Sequence, residues 1–148
     1  MRLLFIDYLS PSGHENFDKI HVEALLELGH HITLVGKSGQ FCKIKDSPNI
    51  RIINLPKWCN RRVKVFAPVL VRLQGIMTLF YIMLKYASNK YDYTIFACYD
   101  ILSLFLYRSS NKVVLIDHNN IGQLDNWLKL KLTCLYNEYK HVCLSQYM

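Results

Sequence analysis

The 148-residue chain has only six glycines, and none of them are spaced as in the loops that cradle phosphates. Neither the dinucleotide fingerprint G-x-G-x-x-G nor the P-loop pattern is present, which disfavours a tight NAD or FAD site. A serine-nucleophile elbow and a paired acidic metal motif are missing as well. These absences disfavour the enzyme classes that a single short motif would identify.

Cysteine is present without any recognisable organisation. There are five cysteines, an odd number, and no pair has C-x-x-C spacing. This pattern argues against a disulfide scaffold or a zinc module, and it favours a reducing compartment. The first apolar stretch ends at Asp7, too early for a signal peptide. We therefore expect a cytoplasmic protein.

The charge of the chain is unbalanced, with 18 Lys and Arg against 11 Asp and Glu and a formal net charge of +7. A basic surface favours anionic partners such as anionic lipid or nucleotide phosphates. No recognised nucleic-acid-binding module is visible, so nucleic acid is not an expected partner. A hydrophobic content of 51% excludes a disordered chain, and the length suits one domain.

Short apolar runs alternate with helical patterns along the chain. Predicted strands cover Arg2–Asp7, Ile32–Val35, Ile50–Leu55, Tyr93–Ala97, Lys112–Ile116 and His141–Leu144. Predicted helices cover Glu15–Leu28, the apolar stretch after Pro68, Asp100–Tyr107 and Trp127–Tyr139. This alternation predicts an α/β fold, a single domain with a Rossmann-like, doubly wound parallel sheet.

The first predicted helix has an apolar face made of residues three and four positions apart. Phe17, Ile20 and Leu28 belong to that face, whereas Asp18 falls mostly on the other side. We therefore expect Ile20 and Leu28 to be packed and Asp18 to lie on the polar side of the helix.

Ligands bind parallel sheets outside the carboxyl ends of the strands, so the residues after each strand are candidates for a site. Ser12, Gly13 and His14 follow the first strand and open a helix, whose N-terminus could accept an anion. An ordinary strand-to-helix turn is the alternative. Tyr99 follows the fourth predicted strand and is a further substrate-binding candidate.

The densest polar cluster, Asp117-His118-Asn119-Asn120, follows the fifth predicted strand. His118 could act as a base or as a hydrogen-bond donor, and Asp117 could orient its ring. The alternative is a capping loop with a surface histidine. We predict catalytic roles for Asp117 and His118, and a substrate-binding role for Asn119.

A basic segment, KWCNRRVK, directly precedes the long apolar and aromatic stretch. Basic groups beside such a helix suit an anionic membrane surface, with about 1 kcal/mol for each group near the surface. Lys57, Arg61, Arg62 and Lys64 are therefore predicted to contact the inner membrane face peripherally. A solvated charge run beside a core helix is the alternative.

Several segments, in their order and spacing, resemble GT-B-fold glycosyltransferases, close to the large retaining glycosyltransferase family four. The opening LLFIDYLSPSGHENFDKIHVEALLELGHHITLVGKS resembles the first strand, loop, helix and second strand of that family. YDYTIFACYD resembles its fourth strand, and KVVLIDHNN resembles its strand that ends in a histidine. WLKLKLTCLYNEYKHVCLSQYM resembles the helix and strand that follow.

The resemblance implies that this chain is the N-terminal, acceptor-side domain of such an enzyme, with the C-terminal donor-binding domain absent from it. The expected partners are a nucleotide-sugar donor, held by that second domain, and a saccharide or lipid-linked acceptor. His118 matches the histidine of the reaction centre, with Asp117 shaping the site beside it. Gly13 and His14 would border the cleft, although this loop has one glycine where the family has a pair. The family generally needs no bound metal, so no cofactor is expected.

Two other function classes remain open from the sequence. One is a non-catalytic Rossmann-like module that binds a nucleotide or a protein. The other is an NAD-dependent reductase, which the missing glycine fingerprint disfavours.

Overall fold

The computed structural model describes residues 1–8, 14–56, 58, 67–86, 90–98, 112–117 and 140–143. For residues 67–72, 117 and 141–143 it describes the backbone alone. The elements are β1 (Arg2–Asp7), α1 (Glu15–Glu27), β2 (His31–Gly36), β3 (Ile50–Asn54), α2 (Ala67–Lys85), β4 (Tyr93–Phe96), β5 (Val113–Asp117) and β6 (Lys140–Cys143).

Each of the six predicted strands is confirmed to within one residue at either end. The first predicted helix corresponds to α1, and the helix expected after Pro68 corresponds to α2. The helices predicted over Asp100–Tyr107 and Trp127–Tyr139 lie outside the described residues.

The six strands form one sheet in the order β3-β2-β1-β4-β5-β6, and all five pairings are parallel. The chain builds outward from β1 to β3 and then returns to the other side of β1 for β4. The order therefore reverses between β1 and β4, as it does in the dinucleotide-binding fold. This α/β architecture is compatible with a Rossmann-like fold.

The two described helices pack on opposite faces of the sheet. Successive β1 side chains point to opposite faces, as in any strand, and nearly all of them are buried. Leu3 and Phe5 share a cluster with Val22 of α1, whereas Leu4 and Ile6 join the cluster that contains α2. Because helices cover both faces of the sheet at β1, the sequence of β1 is a continuous apolar run and does not alternate between apolar and polar residues.

The buried face of α1 differs from the predicted one. Asp18 and Val22 are fully buried and Leu25 packs partly against the core, whereas Ile20 and Leu28 are exposed. The expectation that Asp18 lies on the polar side was wrong, because a carboxyl group can be buried when a hydrogen-bond donor meets it. That donor comes from the loop after β2.

α2 buries one side against the sheet through Leu79 and Ile82, both of which are fully inaccessible to solvent. Thr78 donates a hydrogen bond from Oγ1 to the carbonyl of Gln74, one turn earlier, at 2.7 Å. None of the helices in the described part of the chain combines the length and the apolar character needed to cross a membrane.

Gly36 ends β2 where the backbone of β1 and an aromatic ring approach it closely. Its Cα is in register with Asp7, and a Cβ atom would lie 2.8 Å from both the Asp7 carbonyl oxygen and Cε2 of Phe41. The Phe41 ring also packs edge-on against Phe5, with centroids 6.3 Å apart. Gly36 therefore allows the loop after β2 to fold back over the end of β1.

Replacing Gly36 with alanine is expected to lower the free energy of unfolding by about 1–3 kcal/mol, because neither the Asp7 backbone nor the packed ring can move away cheaply. Urea denaturation of G36A measures this loss. G29A is the matched control: Gly29 has a φ of +76° but open space around it, so only the backbone strain of about 1 kcal/mol applies. A G36A variant as stable as wild type would contradict the packing argument.

Candidate functional site

The strand order reverses at the carboxyl ends of β1 and β4, and ligands bind beside such a reversal in open parallel sheets. β1 ends at Asp7, β4 at Phe96 and β5 at Asp117. Because β4 lies between β1 and β5, the carboxyl ends of β1 and β5 are about 10 Å apart. This edge is the candidate functional site.

Two of the predicted site residues lie in described segments, and both are at this edge. His14 immediately precedes α1, and its carbonyl accepts a hydrogen bond from the Asp18 amide at 3.0 Å. The His14 ring lies 6.4 Å from the ring of Phe17. Asp117 is the last residue of β5, where its backbone pairs in register with Cys143. The start of α1 and the end of β5 therefore both lie at the edge formed by the carboxyl ends of the strands.

The other predicted site residues lie outside the described residues. They are Ser12, Gly13, Lys57, Arg61, Arg62, Lys64, Tyr99, His118 and Asn119. Their predicted roles therefore remain predictions.

A buried polar cluster at the end of β1 was not predicted from the sequence. Asp7, Asp18 and Gln40 come from β1, α1 and the loop after β2, and all three side chains are buried. The Gln40 Nε2 amide donates to Oδ2 of Asp7 and to Oδ2 of Asp18, each at 2.8 Å. One neutral amide therefore bridges two carboxyl groups in the protein interior.

Burial and the neighbouring Asp7 carboxyl together raise the pKa of Asp18 to about 8. The Gln40 hydrogen bond opposes this shift, while a hydrogen bond to Asp7 and the charge of Glu15 add to it. Asp18 therefore retains its proton at neutral pH. Its Oδ1 atom is buried with no hydrogen-bond partner among the described residues.

Polar contacts on the surface hold the same loop against α1. Lys43 Nζ lies 3.6 Å from Oε2 of Glu15 and donates to Oδ1 of Asn16 at 3.0 Å. These exposed contacts stabilise weakly, by up to about 1 kcal/mol. The position of the loop after β2 thus depends mainly on the buried bridge and on the packing of Phe41.

The described part of this edge offers protonatable and hydrogen-bonding groups rather than a metal centre. Within the described residues, no three His, Cys, Asp or Glu side chains are grouped to hold a metal ion. Asp18 holds a proton at this edge at neutral pH, and the N-terminus of α1 lies at the same edge. Such an edge suits a ligand that carries hydroxyl groups or a negative charge.

Only one member of the buried cluster, Asp7, could have been selected from the sequence. Asp7 stands at the end of a buried strand, where the rule for parallel sheets would have selected it. Asp18 and Gln40 are separated by 22 residues, and no local pattern connects them. Their pairing follows from the fold-back of the loop after β2, which only the three-dimensional structure shows.

Comparison with protein-family models, with curated proteins and with solved structures finds no match for this chain.

The raised pKa of Asp18 predicts that stability falls as pH rises. Between about pH 4 and pH 8 the unfolded chain has released the Asp18 proton while the folded protein keeps it. Raising the pH therefore favours unfolding, by up to about 1.4 kcal/mol for each pH unit. Urea denaturation of wild-type protein and D18N over this range measures the effect, and D18N should gain stability relative to wild type as pH rises.

E23Q is the control for this experiment, because Glu23 lies on the same helix but its side chain is 38% exposed, 3.9 Å from Lys19. Its stability relative to wild type should stay constant above pH 5. A D18N variant whose difference from wild type does not change with pH would contradict the raised pKa of Asp18.

Proposed function

We propose that this chain is the acceptor-binding N-terminal domain of a GT-B-fold glycosyltransferase, with a doubly wound Rossmann-like sheet. The observation that supports the proposal is the common edge formed by the ends of β1, β4 and β5. His14 and Asp117 lie at that edge, and Gly13 and His118 are their neighbours in sequence. The order of the motifs along the chain agrees with such a domain.

In the proposed reaction, a hydroxyl group of the acceptor attacks the anomeric carbon of a nucleotide-sugar donor. A new carbon–oxygen bond forms, the bond to the diphosphate breaks, and the nucleoside diphosphate leaves with the electron pair. His118 takes the proton of the hydroxyl group or holds it by a hydrogen bond, and Asp117 orients His118. Ser12, Tyr99 and Asn119 would bind the acceptor, while the donor-binding domain would hold the nucleotide.

The role of this domain is therefore to position the acceptor. Holding a hydroxyl group in the geometry of attack replaces a bimolecular encounter with an effectively unimolecular step. The rigid sheet edge and the bridged end of β1 support such positioning, because three separate elements meet there through buried hydrogen bonds. The acceptor would be a cell-surface polysaccharide or a lipid-linked saccharide at the inner membrane face.

Titration of the 15N-labelled 148-residue chain with a short polyprenyl diphosphate-linked saccharide tests this proposal. Amide shifts are expected at the carboxyl ends of β1, β4 and β5. H118A should weaken binding by about two- to twelvefold, because the lost hydrogen bond to the neutral acceptor hydroxyl group contributes about 0.5–1.5 kcal/mol. H31A is the matched control, since His31 is exposed at the amino end of β2, on the opposite edge of the sheet.

Three results would overturn the proposal. The first is the absence of acceptor binding together with tight binding of UDP-glucose or GDP-mannose to the same edge. That outcome would support the alternative of a non-catalytic nucleotide-binding module, which the strand order also accommodates. The second is shifts confined to the amino ends of the strands, and the third is an equal effect of H118A and H31A.

A further inference from the structure

A continuous stripe of large apolar side chains lies on the side of α2 that is not packed on the sheet. It consists of Leu73, Met77, Phe80 and Leu84, which are between 48% and 85% exposed. The spacing of four, three and four residues places them along a single line on the helix. We call these four residues the outer stripe.

Amphipathic side chains border the outer stripe. The ring of Trp58 packs edge-on against Tyr81, with centroids 6.2 Å apart, and Gln74 donates a hydrogen bond to the Trp58 carbonyl. Lys85 Nζ lies 2.8 Å from the Tyr81 hydroxyl oxygen and 5.2 Å from the centroid of its ring. Trp, Tyr and Lys each combine an apolar body with a polar tip, which suits the boundary between water and lipid.

All charged residues of α2 are basic. Arg72 and Lys85 are its two charged residues, with no Asp or Glu between Ala67 and Lys85. The basic segment KWCNRRVK precedes the helix in the sequence, and the whole chain has a net charge of +7. A partner surface complementary to this helix is therefore both apolar and anionic.

The size of the outer stripe argues against a second copy of the chain as its partner. The outer stripe consists of four side chains that are 48% to 85% exposed, whereas a standard stable interface involves about 20–30 residues on each partner. A symmetric pairing would also bring together two helices that carry only positive charge. A lipid surface needs neither a matching area nor a matching shape.

We propose that the outer stripe, with Trp58, Tyr81 and Lys85, is a docking surface for an anionic lipid bilayer. α2 would lie in the plane of the membrane, with its stripe among the acyl chains and its basic groups at the lipid phosphates. This surface is independent of the proposed sugar transfer, although it would hold the domain where a lipid-linked acceptor is found.

Flotation of the chain with vesicles of equal parts phosphatidylglycerol and phosphatidylcholine tests the proposal. M77Q/L84Q removes two apolar side chains from the stripe and should reduce partitioning onto these vesicles about tenfold, because each loses much of the benefit of apolar burial. I20Q/L28Q is the matched control, as it removes two exposed apolar side chains from α1, on the opposite face of the sheet. Its partitioning should equal that of wild type.

Equal partitioning of M77Q/L84Q and I20Q/L28Q would overturn the proposal, as would equal binding of wild type to pure phosphatidylcholine vesicles. A stable dimer in sedimentation velocity that M77Q/L84Q abolishes would assign the stripe to self-association instead. Circular dichroism melts confirm that both variants are folded. Acceptor binding measured without vesicles should be unchanged in M77Q/L84Q, so failure of this proposal is distinguishable from failure of the proposed transfer.

Discussion

The amide of Gln40 bridging two buried carboxyl groups is the interaction on which the described site depends. It joins the end of β1, the first turns of α1 and the loop after β2 at distances of 2.8 Å. Two buried carboxylates so close together would repel each other, and the raised pKa of Asp18, which keeps it neutral at pH 7, removes that repulsion. The neutral Asp18 therefore stabilises the arrangement that Gln40 bridges.

The proton on Asp18 also affects what the edge can bind. A lipid-linked acceptor of the kind proposed for this edge carries a diphosphate group, which a further negative charge nearby would repel. Asp18 keeps its proton at neutral pH and adds no such charge, and the N-terminus of α1 contributes a partial positive charge in the same region. The raised pKa of Asp18 therefore lowers the electrostatic cost of binding an anionic ligand at this edge.

The fold was largely predictable from the sequence, because each strand is a short apolar run bounded by polar or turn residues. The positions of His14 and Asp117 at the carboxyl ends of the strands were also predictable, because they follow from where the strands end. The burial of Asp18 was not predictable. Helical periodicity assigns Asp18 to the polar side because of its charge, and it does not show that Gln40, in the loop after β2, donates a hydrogen bond to it. Ile20 and Leu28 were misplaced for the same reason: the face containing Asp18 and Val22 packs on the sheet.

α2 shows a second limit of predictions from helical periodicity, because apolar residues occupy both its packed side and its exposed side. A helix that is apolar all round is normally buried on every side. Here Leu79 and Ile82 pack on the sheet, while Phe80 and Leu84 remain exposed on the far side. The sequence could not separate a core helix from a surface-bound one, because one side of α2 completes the core while the other side retains exposed apolar area. That exposed area is what the proposed bilayer contact would cover.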